Sequence, residues 1–100
     1  MKFEKVLNEI VSGPSLLKKK LGEYLSWYLK NRGNYDAFDA MRDITDIFQD
    51  IFGALVSPKQ QEAILGALEG LNNTASSKQG HLKMYYDAVW NAYKTGQVKL

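Results

Sequence analysis

Apolar residues recur every three to four positions through most of this chain, and no segment sustains the every-second-residue alternation of a half-buried strand. The pattern resolves into five helical segments. Residues 2–12 align Phe3, Val6, Leu7, Ile10 and Val11. Gly13-Pro14 then predicts a stop and a restart, because proline suits a first helical turn and breaks an interior. Residues 14–31 align Leu17, Leu21, Tyr24, Leu25 and Tyr28 and close at Gly33. Asn34 offers a cap for a third helix over 35–56, with Phe38, Met41, Ile44, Phe48, Ile51, Phe52 and Leu55 on its apolar side. Ser57-Pro58-Lys59-Gln60 combines a serine cap, a proline at the first position and a glutamine at the third, a capping box that starts helix 58–71. That helix carries Ile64, Leu65, Leu68 and Leu71. Asn72 to Ala75 reads as a polar loop, so the sequon Asn72-Asn73-Thr74 is taken as interhelical turn. Ser76 and Gln79 form a second capping box for helix 77–95, which presents Leu82, Tyr85, Tyr86, Val89, Trp90 and Tyr93 and stops at Gly96. Val98 and Leu100 are expected to fray unless they dock. One stripe per helix and short connections predict an all-α domain, a compact bundle of four or five antiparallel helices without a β-sheet.

One polar pattern stands out against this frame. Asp36, Asp39, Asp43, Asp46 and Asp50 are spaced three, four, three and four apart. At about 100° per residue the five carboxylates fall within an arc of about 80°, opposite the apolar side of the same helix. Asp36 and Asp39 suit the positive end of the helix dipole, whereas Asp46 and Asp50 lie toward its negative end. Arg42 is the only basic residue nearby. A solvated outer face accounts for such a stripe without any function. The sharper expectation is a basic protein surface that neutralises it. Nucleic-acid mimicry fits less well: Asp36 to Asp50 spans about 21 Å at 1.5 Å per residue, one charge per ~5 Å against one per ~1.7 Å of duplex. A shared divalent cation lacks ligands from any other motif, so no metal site and no cofactor are expected.

Charge sharpens the picture. The chain of 100 residues has a net charge of +2, yet residues 1–33 carry a net +4, residues 34–56 a net −4 and residues 57–100 a net +2. Charge is segregated by helix, which bears on partners more than the total does. The basic side supplies the alternative reading, a nucleic-acid surface of Lys18, Lys19, Lys20, Lys30 and Arg32 with Trp27 stacking on a base. Opposite charges on neighbouring helices also make a homodimer an even possibility.

The remaining candidates are modest. Tyr85, Tyr86, Trp90 and Tyr93 share a helix face and read as core, with Trp90 at its edge near Lys83, Asp87 and Lys94, either a partner anchor or a lid over the bundle end. Ala63, Gly66, Ala67 and Gly70 predict close approach of a neighbouring helix. His81 is the only histidine and there is no cysteine, which leaves no evident nucleophile–base pair or zinc site. Phosphate-binding loops, dinucleotide fingerprints and metalloprotease motifs are missing, as is any motif tying the chain to a known family. Met1 to Val11 lacks a signal-like apolar run and no segment approaches membrane-spanning length. The expectation is therefore a cytoplasmic, non-enzymatic binding module. Small inhibitors and immunity-type proteins of phages and mobile elements have this size and character. Its contacts would be Asp36, Asp39, Asp43, Asp46, Asp50 and Trp90.

Overall fold

The computed structural model describes residues 2–31, 35–74 and 81–98, with side chains in the first stretch from Ser15 onward. Four helices form the bundle: α1 (Lys2–Asn31), α2 (Ala37–Phe52), α3 (Pro58–Thr74) and α4 (His81–Thr95). No strand occurs among the described residues.

The two expected N-terminal helices are one. The backbone of α1 stays helical through Gly13-Pro14. Proline there removes one i→i−4 bond at a cost of about 3 kcal/mol. Glycine before it lacks the Cβ that would collide with the proline ring, so the helical conformation stays open to that residue. The expected face from Phe3 to Val11 lies outside the described side chains.

Each helix packs against two neighbours, α1 on α2, α2 on α3, α3 on α4 and α4 on α1. Chain order therefore runs around the bundle. Leu17, Leu21, Leu25 and Tyr28 of α1 meet Ala40, Met41, Ile44 and Phe48 of α2 in the centre. Ala63, Ile64, Ala67, Leu68 and Leu71 of α3 and Tyr85, Ala88, Val89 and Ala92 of α4 complete it. Most of the expected apolar stripe is buried, with four corrections. Phe38, Phe52 and Leu82 are substantially exposed, and Leu55 is 89% exposed.

Leu55 is exposed because α2 ends before it. Gly53 adopts φ +68°, and its N–H donates to the Gln49 carbonyl at 2.8 Å. A left-handed glycine of this kind terminates a helix, so α2 stops at Phe52 and Leu55 belongs to the connection. Asp36 caps the start of α2, its carboxylate accepting the Asp39 N–H at 2.9 Å. Asn34, the expected cap, lies outside the described residues. So does the Ser76–Gln79 box. The Ser57–Gln60 box forms in both directions: the Ser57 N–H donates to Gln60 Oε1 at 2.7 Å, and the Gln60 N–H to Ser57 Oγ at 3.1 Å.

The two diagonals of the bundle are bridged by side chains. Near the C-terminal ends of α1 and α3, Asn72 Nδ2 donates to the Tyr28 hydroxyl at 2.8 Å, and the Tyr85 hydroxyl donates to Asn72 Oδ1 at 2.6 Å. Asn72 is thus a structural residue in the last turn of α3 and not part of a loop. At the other end Phe48 of α2 stacks on Tyr93 of α4, ring centroids 4.0 Å apart and planes 3° from parallel. The small residues of α3 accept close neighbours. A Cβ on Gly66 would lie 2.8 Å from Val98 Cγ2, so the segment after α4 folds back onto α3. Leu100 lies outside the described residues.

Candidate interaction surface on α2

Helical period and core packing fix where each acid of α2 points. Ala40, Met41, Ile44, Thr45 and Phe48 face inward, which turns Asp39, Asp46 and Asp50 out to solvent, all three exposed. Asp36 is spent on the cap. Asp43 turns toward α1 and is only half-exposed. Its Oδ2 accepts the Tyr24 hydroxyl at 2.8 Å and the Tyr35 hydroxyl at 2.5 Å. The five expected contacts therefore divide into one cap, one cross-helix anchor and three free carboxylates.

The anchor alters the two tyrosines. Burial, followed by the bond to the Asp43 carboxylate, pushes the Tyr24 hydroxyl well above the usual phenol range. The same carboxylate is the leading reason that Tyr35 is raised. A phenol that donates to a carboxylate releases its proton reluctantly, because the phenolate would face a negative oxygen. Sequence reasoning missed this pairing. Nothing local marks Tyr24, nineteen positions away from Asp43, as its partner.

No cation of the described residues pairs with Asp39, Asp46 or Asp50. The ion pair observed among them joins Lys83 Nζ to Asp87 Oδ2 at 3.0 Å on α4. Arg42 is exposed beside the acidic face.

Trp90 does not stand apart as a free anchor. It is half-buried and joins the stack at the bundle end, its ring 6.1 Å from Phe48, 6.0 Å from Phe52 and 5.8 Å from Tyr93. Lys94 Nζ sits 5.0 Å from its ring centroid, a cation–π contact that covers the outer face. The lid role is the one the packing fits. Phe52, beside it, is the more exposed ring.

Lys18 is set apart from the other basic residues of α1. Lys18 lines a cleft of about 410 Å³ between α1 and α4, together with Gly22, Leu82, Lys83, Tyr86 and Asp87. Lys19, Lys20 and Lys30 are exposed. Trp27 is 45% exposed, yet packs against Tyr24 at 5.7 Å and edge-on against Tyr35 at 5.1 Å. It therefore neighbours the tyrosines that hold Asp43. Arg32 lies outside the described residues.

Among the described residues no group of three or more His, Cys, Asp or Glu is placed to hold a metal ion, and no helix is long and apolar enough to cross a membrane. His81 is half-exposed at the first position of α4. No protein-family model matches the chain, and neither the curated proteins nor the solved structures contain a match to it.

Proposed function

We propose that this protein is a non-enzymatic binding module that acts by occupying a basic surface on another protein chain. The observation that carries the reading is the outward face of α2, where Asp39, Asp46 and Asp50 are exposed and without a cation among the described residues. Like charges at three- and four-residue spacing cost a helix a few tenths of a kcal/mol per pair. Aspartate is also among the weaker helix formers. A helix that retains such a face gains from a partner that neutralises it. Occupancy of this kind is how small inhibitor and immunity-type proteins work, and the module is assigned to that broad category, acting in the cytoplasm. Asp36 is engaged in the cap and Asp43 with Tyr24 and Tyr35, so the reading rests on the other three.

Zero-length carbodiimide coupling tests the reading, because it joins a carboxylate to an amine only where the two touch. Applied to an extract of the cells that make the protein, it should join Asp39, Asp46 or Asp50 to lysines on another chain. The coupling should fade in high salt and vanish in the Asp39→Asn, Asp46→Asn, Asp50→Asn variant. A map with no intermolecular coupling at α2 would sink the proposal.

A further inference from the structure

The outward side of α1 carries what the outward side of α2 lacks, and the two lie on one face of the bundle. Leu16, Lys19, Lys20, Glu23, Trp27 and Lys30 fall within about 100° of arc at 100° per residue, all exposed. The Tyr24–Asp43 hydrogen bond joins the two helices, which run antiparallel side by side. Lys19 and Lys20 therefore lie toward the C-terminal end of α2, and Lys30 toward its N-terminal end.

The basic residues of α1 and the acids of α2 therefore run alongside each other, with Lys19 and Lys20 toward the end that carries Asp46 and Asp50 and Lys30 toward the end that carries Asp39. Within one chain these side chains sit on adjacent helices and point outward. No ion pair joins any of them among the described residues.

A two-fold axis parallel to the helices changes that. Rotation about such an axis leaves heights unaltered, and it places α1 of one copy opposite α2 of the other. The basic row of one copy then meets the acidic row of the other, and does so twice, as an isologous interface requires. Leu16 and Trp27, 37% and 45% exposed, lie on the same side of α1 and supply apolar surface between the charges.

We infer that the basic surface engaged by α2 is α1 of a second copy of this chain, docked across a two-fold axis parallel to the helices. This rests on the reading of α2 as a binding face and names its occupant. Two complementary exposed rows carried side by side on one chain, not the net charge, are what select a second copy over an arbitrary basic protein.

The test uses the full chain at about 100 µM. Light scattering coupled to size exclusion should give twice the chain mass at low salt and fall toward the single mass at high salt. Carbodiimide treatment of mixed light- and heavy-nitrogen protein should give inter-copy Lys20–Asp46, Lys19–Asp50 and Lys30–Asp39 products. The Lys19→Glu, Lys20→Glu variant should be monomeric, as should the Asp46→Lys, Asp50→Lys variant. The chain carrying all four reversals should dimerise again, which a merely damaged surface would not do. Should a reversed chain fail to fold by circular dichroism, wild-type mass and cross-links still decide. A wild-type monomer at low salt overturns the dimer, and so does a dimer lacking these cross-links. In either case, extract coupling of α2 to a foreign lysine would leave the binding reading standing. No coupling at α2 in either experiment removes both.

Discussion

The two ends of the bundle solve the same problem by different means. Helices on opposite corners do not meet backbone to backbone, so a side chain must cross the centre at each end. Toward the α2 N-terminus the contacts are hydroxyls: Tyr28 of α1 reaches Asn72 of α3 across the centre, Tyr85 shares that Asn72, and Tyr24 and Tyr35 share Asp43 between the neighbours α1 and α2. Toward the α2 C-terminus they are rings, Phe48, Phe52, Trp90 and Tyr93 lying within 19° of parallel. Stacked rings gain by contact area and dispersion and admit small shifts. Hydroxyl networks gain by direction, and an unpartnered member is costly. The hydroxyl end joins α1 to α2, whose outward faces the inferred dimer uses. The ring end supplies bulk burial.

The ring end should give the largest single loss. Phe48 is fully buried and touches three other rings, so Phe48→Ala should cost about 3–5 kcal/mol through lost transfer energy and the cavity left behind. Adding Trp90→Ala should enlarge the same void and bring no recovery. Urea unfolding of the two variants checks both statements. A loss under ~1.5 kcal/mol would mean that the stack is a loose surface cluster and the comparison between ends is misdrawn.

The hydroxyl end should break differently. Asn72→Leu strips the fully buried Tyr28 phenol of its partner, at a cost of about 1–3 kcal/mol. Tyr85 loses this acceptor too but keeps a further interaction. Adding Tyr28→Phe removes the stranded hydroxyl, so the double variant should be more stable than Asn72→Leu alone. Such compensation is the mark of a polar network. Strict additivity in the urea cycle would show that Asn72 works by packing alone.

The contrast also tells which features a sequence exposes. Periodicity located the ring end: Phe48, Val89 and Tyr93 sit where a 3.6-residue repeat requires. The Ser57–Gln60 box was legible because a cap needs only neighbours in sequence. Gly53 was legible in principle, since a glycine directly after Phe52 is a common helix end, but the apolar run through Leu55 and Val56 outweighed it. The hydroxyl end was not legible. Asn72 sits in a polar run that resembles a loop, and its partners are 44 and 13 positions away. Asp43 looks like every other acid of its stripe until α1 is placed beside it. Long-range polar pairs leave no local period to read. The face of α2 was visible as five acids, and only packing reduced it to three.

Alkali provides the gentlest way to separate the ends, because the hydroxyl end holds the raised phenols Tyr24 and Tyr35. Burial and the Asp43 carboxylate raise Tyr24 above its unfolded value, and the bond to that carboxylate raises Tyr35. Below about pH 10 both the folded and the unfolded chain hold these protons, and the hydroxyl bonds contribute fully. As pH rises past 10, the unfolded chain releases them while the folded chain retains them. The unfolded state then binds fewer protons, so stability must fall with rising pH. Solvent screening at a half-exposed site keeps the effect of Tyr24 to a fraction of ~1 kcal/mol near pH 10.5. Melting followed by circular dichroism from pH 8 to 11 should show a decline that is shallower in Tyr24→Phe than in wild type. Tyr86 is raised by its own burial and by Asp87, so some decline should remain in that variant. Parallel curves for the two proteins would show that the Tyr24–Asp43 bond contributes no proton linkage. The register it imposes on α1 and α2 would then have to be held by the buried leucines and Ile44 alone.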